Sequence, residues 1–316
     1  MATLSDSYSE GVIDPDPYVF ETVGTVSVVI PSMNEGDNLL ATVSSIVDNS
    51  FYPAFEVVVV DDGSTDGSAD EVDHAHRSDP RVRVLKTAGM GVGRARNWGA
   101  LHARGDVVIF IDAHCYTPPG WMTRLVAPLQ NPSVGLVGPA LASVTNPGGS
   151  KGYGLTWDDP SLLMRWLPAS HDVPYPVPLL CGACQAVRRS DFMRVGSFDA
   201  GMTRWGSEDH ELSLRFWLMG YAVLVQPQVS VYHLFRDHHP YHVDWYGVLF
   251  NILRMTLLHL RLDRAQAVLD HYRELTELPS SLHAVLGSDV LVRRAQLSRA
   301  RVRTDDWWFS EFGVWT

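Results

Sequence analysis

Two short stretches carry residues whose types and spacing could do chemistry. In FIDAHC, residues 110–115, an apolar run ends on Asp112 and a histidine, His114, follows two residues later. Alternate side chains of an extended chain share a face, so this carboxylate and imidazole can converge on one point. In WGSEDHELS, residues 205–213, the acids Glu208 and Asp209 open a helical pattern, where the helix dipole favours negative charge. A carboxylate with an imidazole suits a hard or borderline divalent cation. Two protein ligands suffice only when phosphate oxygens and water complete the shell. The pair therefore asks for a diphosphate pocket beside it and a third ligand from elsewhere.

The elements that position these residues read as an alternation. TVSVVIPSMNE (25–35) is a β-branched strand stopped by proline and Asn34, and GDNLLATVSSIVDNS follows with Leu39, Leu40, Val43 and Ile46 at helical spacing. FEVVVVDDGSTDGSADEV repeats the unit, with a helix expected from about Asp66. RVRVLKT (81–87) gives a third strand, GVGRARNWGALHAR opens a third helix, and DVVIFIDAHC (106–115) is a fourth strand. Uniformly apolar strands alternating with helices predict a mostly parallel sheet covered on both faces, with ligands bound outside the carboxyl ends of the strands. The polar residues collect at those ends: Asn34 and Glu35, Asp61 and Asp62, the segment Gly89 to Arg96, and Asp112 with His114. Each alone reads as a cap or turn residue, whereas four sets on four strand ends point to a shared site.

Beyond residue 130, Gly and Pro punctuate short strands, and 157–178 reads as a long proline-rich, aromatic loop of the kind that is more often functional than connecting. From Trp245 onward the pattern is helical and amphipathic through YGVLFNILRMTLLHLRLDRAQAVLDHYREL. The expected organisation is an N-terminal arm (1–24), an α/β domain (25–241) in two halves (25–115 and 116–241), and a C-terminal helical region (242–316).

Composition narrows the function. A net charge of −11 with no Lys/Arg-rich run argues against nucleic acid as a partner. There is no run of about 18 apolar residues and no basic-then-apolar start, so the expected location is cytoplasmic, with peripheral membrane contact through the C-terminal helices left open. Those helices would pack on the domain or pair two copies into a homodimer. Three cysteines (Cys115, Cys181, Cys184) make no disulfide framework. The single CGAC motif falls short of the four ligands of structural zinc.

The runs VSVVIPSMNEGDNL, VVVVDDGSTDGS, GVGRARNWGA and DVVIFIDAHC, in that order, resemble the nucleotide-sugar half of family 2 glycosyltransferases with the GT-A fold. CGACQAVRRSDFMRVGSFDAGMTRWGSEDHELSLRFWLMGY is similar to their acceptor half. DAHC, WGSEDHELSLRFW and VYHLFRDHHPY also resemble the polypeptide N-acetylgalactosaminyltransferases, and the likeness spans about residues 25–241.

The resemblance implies Mn²⁺ (or Mg²⁺) held by Asp112, His114 and, from VYHLFR, His233. It implies a UDP-sugar bound by Pro31, Ser32, Asn34, Glu35, Asp61 or Asp62, Arg94, Asp112, Ala113, Trp205 and Gly206. It makes Asp209 the base of an inverting transfer, with Glu208 as its neighbour or an acceptor contact, and RDHHPYH with His238, His239 and His242 a lid over the donor. The peptide-modifying relatives carry asparagine at the position of Asp209 and retain configuration. Inversion is expected here, because a carboxylate on the acceptor side is useful mainly as a base. The acceptor could be a peptide or protein side chain, a small molecule or a lipid carrier. The competing readings are a retaining peptide glycosyltransferase and a nucleotide-sugar binding protein without transfer activity. A sugar-nucleotide pyrophosphorylase would need an early glycine-rich basic loop, and PSMNEGDN is not one.

Overall fold

A computed structural model describes residues 23–203, 205–236, 240 and 243–315. The expected lid histidines His238, His239 and His242, and nearly all of the N-terminal arm, lie outside the described residues.

The first half follows the alternation. Strand β1 (Val26–Ser32) is buried at every position. Helix α1 (Asp37–Asn49) buries Leu39, Thr42, Val43 and Ile46, the i, i+3, i+4, i+7 stripe of a helix lying on a sheet. Then come β2 (Phe55–Asp61), α2 (Ser68–Ala75), β3 (Val82–Lys86), α3 (Val92–His102) and β4 (Val107–Ile111). These strands run parallel in the order β3, β2, β1, β4. Helix α2 begins at Ser68, after Gly67 in the left-handed region, and Ser68 N donates back to Asp66 Oδ1 at 3.0 Å. Helix α3 presses on the sheet through Gly99, where a Cβ would stand 2.3 Å from Val29 Cγ1.

The second half brings β5 (Cys115–Tyr116), α4 (Trp121–Val126), β6 (Val134–Ser143), β7 (Leu155–Trp157), β8 (Met164–Trp166), β9 (Tyr175–Pro176), β10 (Cys184–Arg188), α5 (Arg189–Arg194), α6 (Glu208–Leu218) and β11 (Ala222–His233). The sheet continues from β4 through β10, β6 and β11 to β5, with β9 also on β11, nine strands among the described residues. Strand β10 runs antiparallel to β4 and β6, while β11 is parallel to β6. The sheet is thus mixed and mostly parallel, as in the GT-A fold. The segment 157–178, read from sequence as a loop, contains β8 and β9, and β8 pairs with β7 as a separate hairpin.

One expectation needs correction. The run 106–115 is not one strand: β4 stops at Ile111, the chain turns through Asp112–His114, and β5 pairs with β11 instead. The turn is pinned where Asp112 N donates to Ala183 O at 3.0 Å. The helical region from Trp245 onward holds five helices among the described residues. It breaks into α7 (Trp245–His259) and α8 (Leu262–His271), followed by α9 (Leu278–Leu286), α10 (Val290–Ala300) and α11 (Asp305–Phe312). Most of α7 is buried on all sides, Asn251 and Arg254 included, because the later helices cover its outer face. Arg254 is matched there by Asp199 at 2.6 Å and Asp289 at 2.8 Å. Among the described residues no helix is long and apolar enough to cross a membrane.

Candidate active site

A cavity of about 1020 Å³ opens beyond the carboxyl ends of the central strands, bordered by residues 31–35, Asp62, 112–114, 181–183, 205–210 and 233–236. It gathers most of the residues singled out from sequence: Pro31, Ser32, Asn34, Glu35, Asp62, Asp112, Ala113, His114, Trp205, Gly206, Glu208, Asp209 and His233.

Asp112, His114 and His233 offer ligand atoms within 4.8 Å of one another. The strand register makes this possible. β5 pairs antiparallel with the end of β11, setting His233 opposite Cys115 and beside His114, with ring centroids 4.8 Å apart. Convergence therefore comes from a turn and a long-range strand pairing, not from alternation along one strand. His114 Nδ1 lies 3.2 Å from Glu35 Oε2, which leaves Nε2 for a cation, the usual carboxylate–histidine arrangement behind a metal ligand. His233 Nε2 sits 3.6 Å from Asp112 Oδ2. One carboxylate and two imidazoles fit a borderline divalent cation, so the residues present suit the implied metal. Burial opposes the charge of Asp112, but His233, Arg96 and His114 outweigh it and hold the carboxyl well below the usual range. Glu35 is likewise buried, yet hydrogen bonds with His114 and Arg236 keep it below the ordinary value.

Arg96, which sequence reasoning passed over, occupies the centre of the site. Its guanidinium reaches Asp112 Oδ1 at 2.8 Å, Glu208 Oε1 at 3.0 Å and the Gly182 carbonyl at 2.9 Å, from a side chain 2% exposed. Arg94, which the resemblance sets against the pyrophosphate or the base of the donor, is exposed, and its Nε donates to Ala200 O at 2.8 Å, away from the cavity. The signal that separates the two was present: the buried face of α3 is Ala95, Arg96, Gly99 and Ala100, and small residues at that spacing mark the side lying on the sheet.

At the end nearest β1 and β2, Asp62 borders the cavity but Asp61 does not. Asp62 accepts from Thr87 Oγ1 at 2.6 Å, Met90 N at 2.8 Å and Gly91 N at 2.7 Å, so it shapes the loop before α3. Asp61 accepts from Ser64 N at 2.9 Å. Asn34, at φ 56°, accepts from Thr65 N at 2.8 Å and ties the two loops together. The Ser32 hydroxyl is buried with no partner among the described residues, a polar atom left for a ligand.

At the opposite end the chain enters α6 through Gly206 (φ 105°) and Ser207 (φ 65°), and Gly206 N donates to Glu208 Oε2 at 2.9 Å. Asn251 of α7 holds this entry, donating to Gly206 O at 2.8 Å and Trp205 O at 3.1 Å. Asp209 accepts from Gly182 N at 2.6 Å and His210 N at 2.9 Å. Burial, and then the neighbouring Asp209 charge, push the Glu208 carboxyl up to about 7 against the pull of Arg96. Cys181 borders the cavity, but burial pushes all three thiols up. Among the described residues the one group with metal-ligand spacing contains no cysteine.

The comparisons agree with this architecture. The profile described as glycosyl transferase family 2 matches residues 27–196, and the one described as the N-terminal domain of galactosyltransferase matches 167–240. Polypeptide N-acetylgalactosaminyltransferase 11 of Xenopus tropicalis is 32% identical over 68% of this chain and 39% of its own length. Probable N-acetylgalactosaminyltransferase 7 of Caenorhabditis elegans is 30% identical over 70% of this chain and 40% of its own. The chain thus spans about two fifths of the length of these curated relatives. Among solved structures, GalNAc-T7 with UDP, GalNAc and Mn²⁺ superposes with a TM-score of 0.76 at 24% identity, over 92% of this chain and 57% of that one. With its fold, its ordered motifs and the profile match over more than half its length, the chain belongs to glycosyl transferase family 2.

Proposed function

We propose that the protein transfers a sugar from a UDP-sugar to an acceptor hydroxyl, with inversion and with Asp209 as the base. The carrying observation is the Arg96 bridge. One guanidinium fastens the carboxylate of the metal centre, Asp112, to Glu208 and to the Gly182 backbone that also holds Asp209. On this reading the bridge ties the donor end to the acceptor end across one cavity. Two carboxylates in adjacent positions, one pushed up and one beside the acceptor space, are how a site separates a proton-holding acid from a base.

In the reaction the acceptor oxygen forms a bond to the anomeric carbon while that carbon's bond to the diphosphate oxygen breaks. The electron pair leaves with UDP, and the hydroxyl proton passes to the Asp209 carboxylate. Ser32 and the loop shaped by Asp62 would receive the nucleotide, and Trp205 and Gly206 the sugar. Arg236, which lines the cavity and pairs with Glu35, would meet the diphosphate. Mn²⁺, which accompanies UDP and GalNAc in the GalNAc-T7 structure and suits the donor set here, would be held by Asp112, His114 and His233. When bound it would neutralise charge on the leaving group.

The name of the Xenopus tropicalis relative favours a polypeptide as acceptor, and the resemblance to the peptide-modifying enzymes makes retaining transfer to it the second reading. UDP release measured over a panel of UDP-sugars, with Mn²⁺ or EDTA and with or without acceptors, tests both. Metal-dependent release lost in Asp112→Ala and His233→Ala supports the transferase, and its absence with every UDP-sugar sinks it in favour of donor binding without transfer. Asp209→Asn should lower acceptor-dependent turnover by about 10²–10⁴-fold. A product with retained anomeric configuration would refute Asp209 as the base.

A further inference from the structure

His210 follows Asp209 in α6, borders the same cavity, and takes no part in the bond exchange at the anomeric carbon. Its ring is fixed from behind. Trp157 of β7, 1% exposed and packed on Trp308 at 5.2 Å, directs its indole Nε1 at His210 Nδ1 across 3.4 Å. An indole N–H can only donate, so Nδ1 is the acceptor and the ring proton sits on Nε2. That nitrogen lies 3.9 Å from Asp209 Oδ1, beyond a direct hydrogen bond. Its proton is therefore aimed beside the base and not committed to it.

We infer that His210 is an acceptor-positioning residue whose Nε2–H donates to an oxygen next to the hydroxyl that Asp209 deprotonates, so that the acceptor presents a vicinal diol, as a sugar does. The inference rests on the reading of Asp209 as base. A group that only accepts, set beside a group that only donates, complements two neighbouring oxygens: one surrenders its proton to Asp209, the other receives the hydrogen bond from His210. An isolated side-chain hydroxyl would satisfy Asp209 and leave the His210 N–H unpaired. Sites built around a hydrogen bond discriminate strongly against partners that lack it. The ring clamp also extends outward, because β7 is paired with β8, and Met164 and Trp166 of β8 border the cavity.

The test uses the full chain with Mn²⁺ and whichever UDP-sugar gives the fastest UDP release. The probes are methyl hexopyranosides, their single-deoxy analogues and a threonine-containing peptide, each measured for kcat/KM. For the best glycoside, His210→Phe should lower kcat/KM at least tenfold, mainly through KM, and His210→Gln, which keeps an N–H, should restore most of it. The analogue lacking the adjacent hydroxyl should be poor with the parent enzyme and indifferent to His210→Phe. Equal losses for glycoside and deoxy analogue, or turnover of the peptide but of no glycoside, would overturn the inference. Undiminished turnover in Asp209→Asn would instead remove the reading beneath it. Should the variants fail to fold, ¹⁵N spectra of the parent protein decide the tautomer, and a proton on Nδ1 would equally overturn the assignment.

Discussion

Replacing Glu211 by glutamine should destabilise the protein severely, and the packing around α6 gives the size of the effect. Glu211 and Arg215 are 0% exposed and His259 is 1% exposed. The carboxylate accepts from Arg215 Nε at 2.9 Å and Nη2 at 2.6 Å, and lies 2.7 Å from His259 Nε2, which joins α6 to α7. Glutamine keeps the shape and removes the charge, stranding a buried guanidinium whose remaining partner is the Val195 carbonyl at 2.7 Å. Removing one member of such a pair costs about 3–5 kcal/mol. With about 2.1 cal/mol/K of unfolding entropy per residue, 316 residues convert that loss into a fall in Tm of about 5–8 °C. Thermal melts at pH 7 of Glu211→Gln, Arg215→Met and the double variant form the assay, and the double should be more stable than the two single losses added together predict. The sign in acid follows from the carboxyl, which Arg215 and His259 hold down to about 2 although burial alone would raise it. Its contribution is present above the ordinary 4.5 and is lost as pH falls through the folded value, so parent and Glu211→Gln should converge near pH 2. Strictly additive losses, or a gap unchanged in acid, would refute the account of this triad.

Other expectations follow from neighbouring contacts. Glu208 has a folded value near 7 against an ordinary 4.5, so stability should decline as pH rises between those values, and denaturant titrations of Glu208→Gln should show a flatter slope over that range. Gly99→Ala places a Cβ 2.3 Å from Val29 Cγ1, an overpacking that should cost about 1–3 kcal/mol in denaturant unfolding; a neutral outcome would mean α3 does not sit so tightly on β1. Arg96→Met leaves Asp112 and Glu208 without their cation, so it should lower stability by about 3–5 kcal/mol. Adding Glu208→Gln should recover part of that loss, and a double variant no better than the single would count against the bridge.

Much of this is legible in the amino-acid sequence. Val57–Val60 and Val107–Ile111 announce strands buried on both faces, and the polar residues at their ends announce the site. Strand direction was less readable, since nothing local in Cys184–Arg188 says that it runs against β4 and β6. His233 could be joined to Asp112 and His114 only through resemblance, because the join is made by a strand pairing far along the chain. Arg96 was hidden by an exposed neighbour of the same type, Arg94, and only the helical face distinguishes them. The value of Glu208 and the clamp on His210 depend on burial contributed by distant segments, which no local pattern encodes.

The pairing of β11 with β6 has a further meaning for how this chain can vary in length. The register slips twice, between Ala222 and Val223 and between Gln226 and Ser230, and then runs unbroken from Ser230 to His233 opposite Ser143. Because the two strands pair directly, the surface loops of the connection between them can gain or lose residues without moving His233. A single insertion or deletion between Ser230 and His233 is different in kind. It would turn His233 to the other face of the sheet, and Tyr232 or Leu234 would stand where the imidazole belongs. The stretch from the second slip to His233 therefore works as a ruler with no spare marks, while the surface loops before it can differ in length.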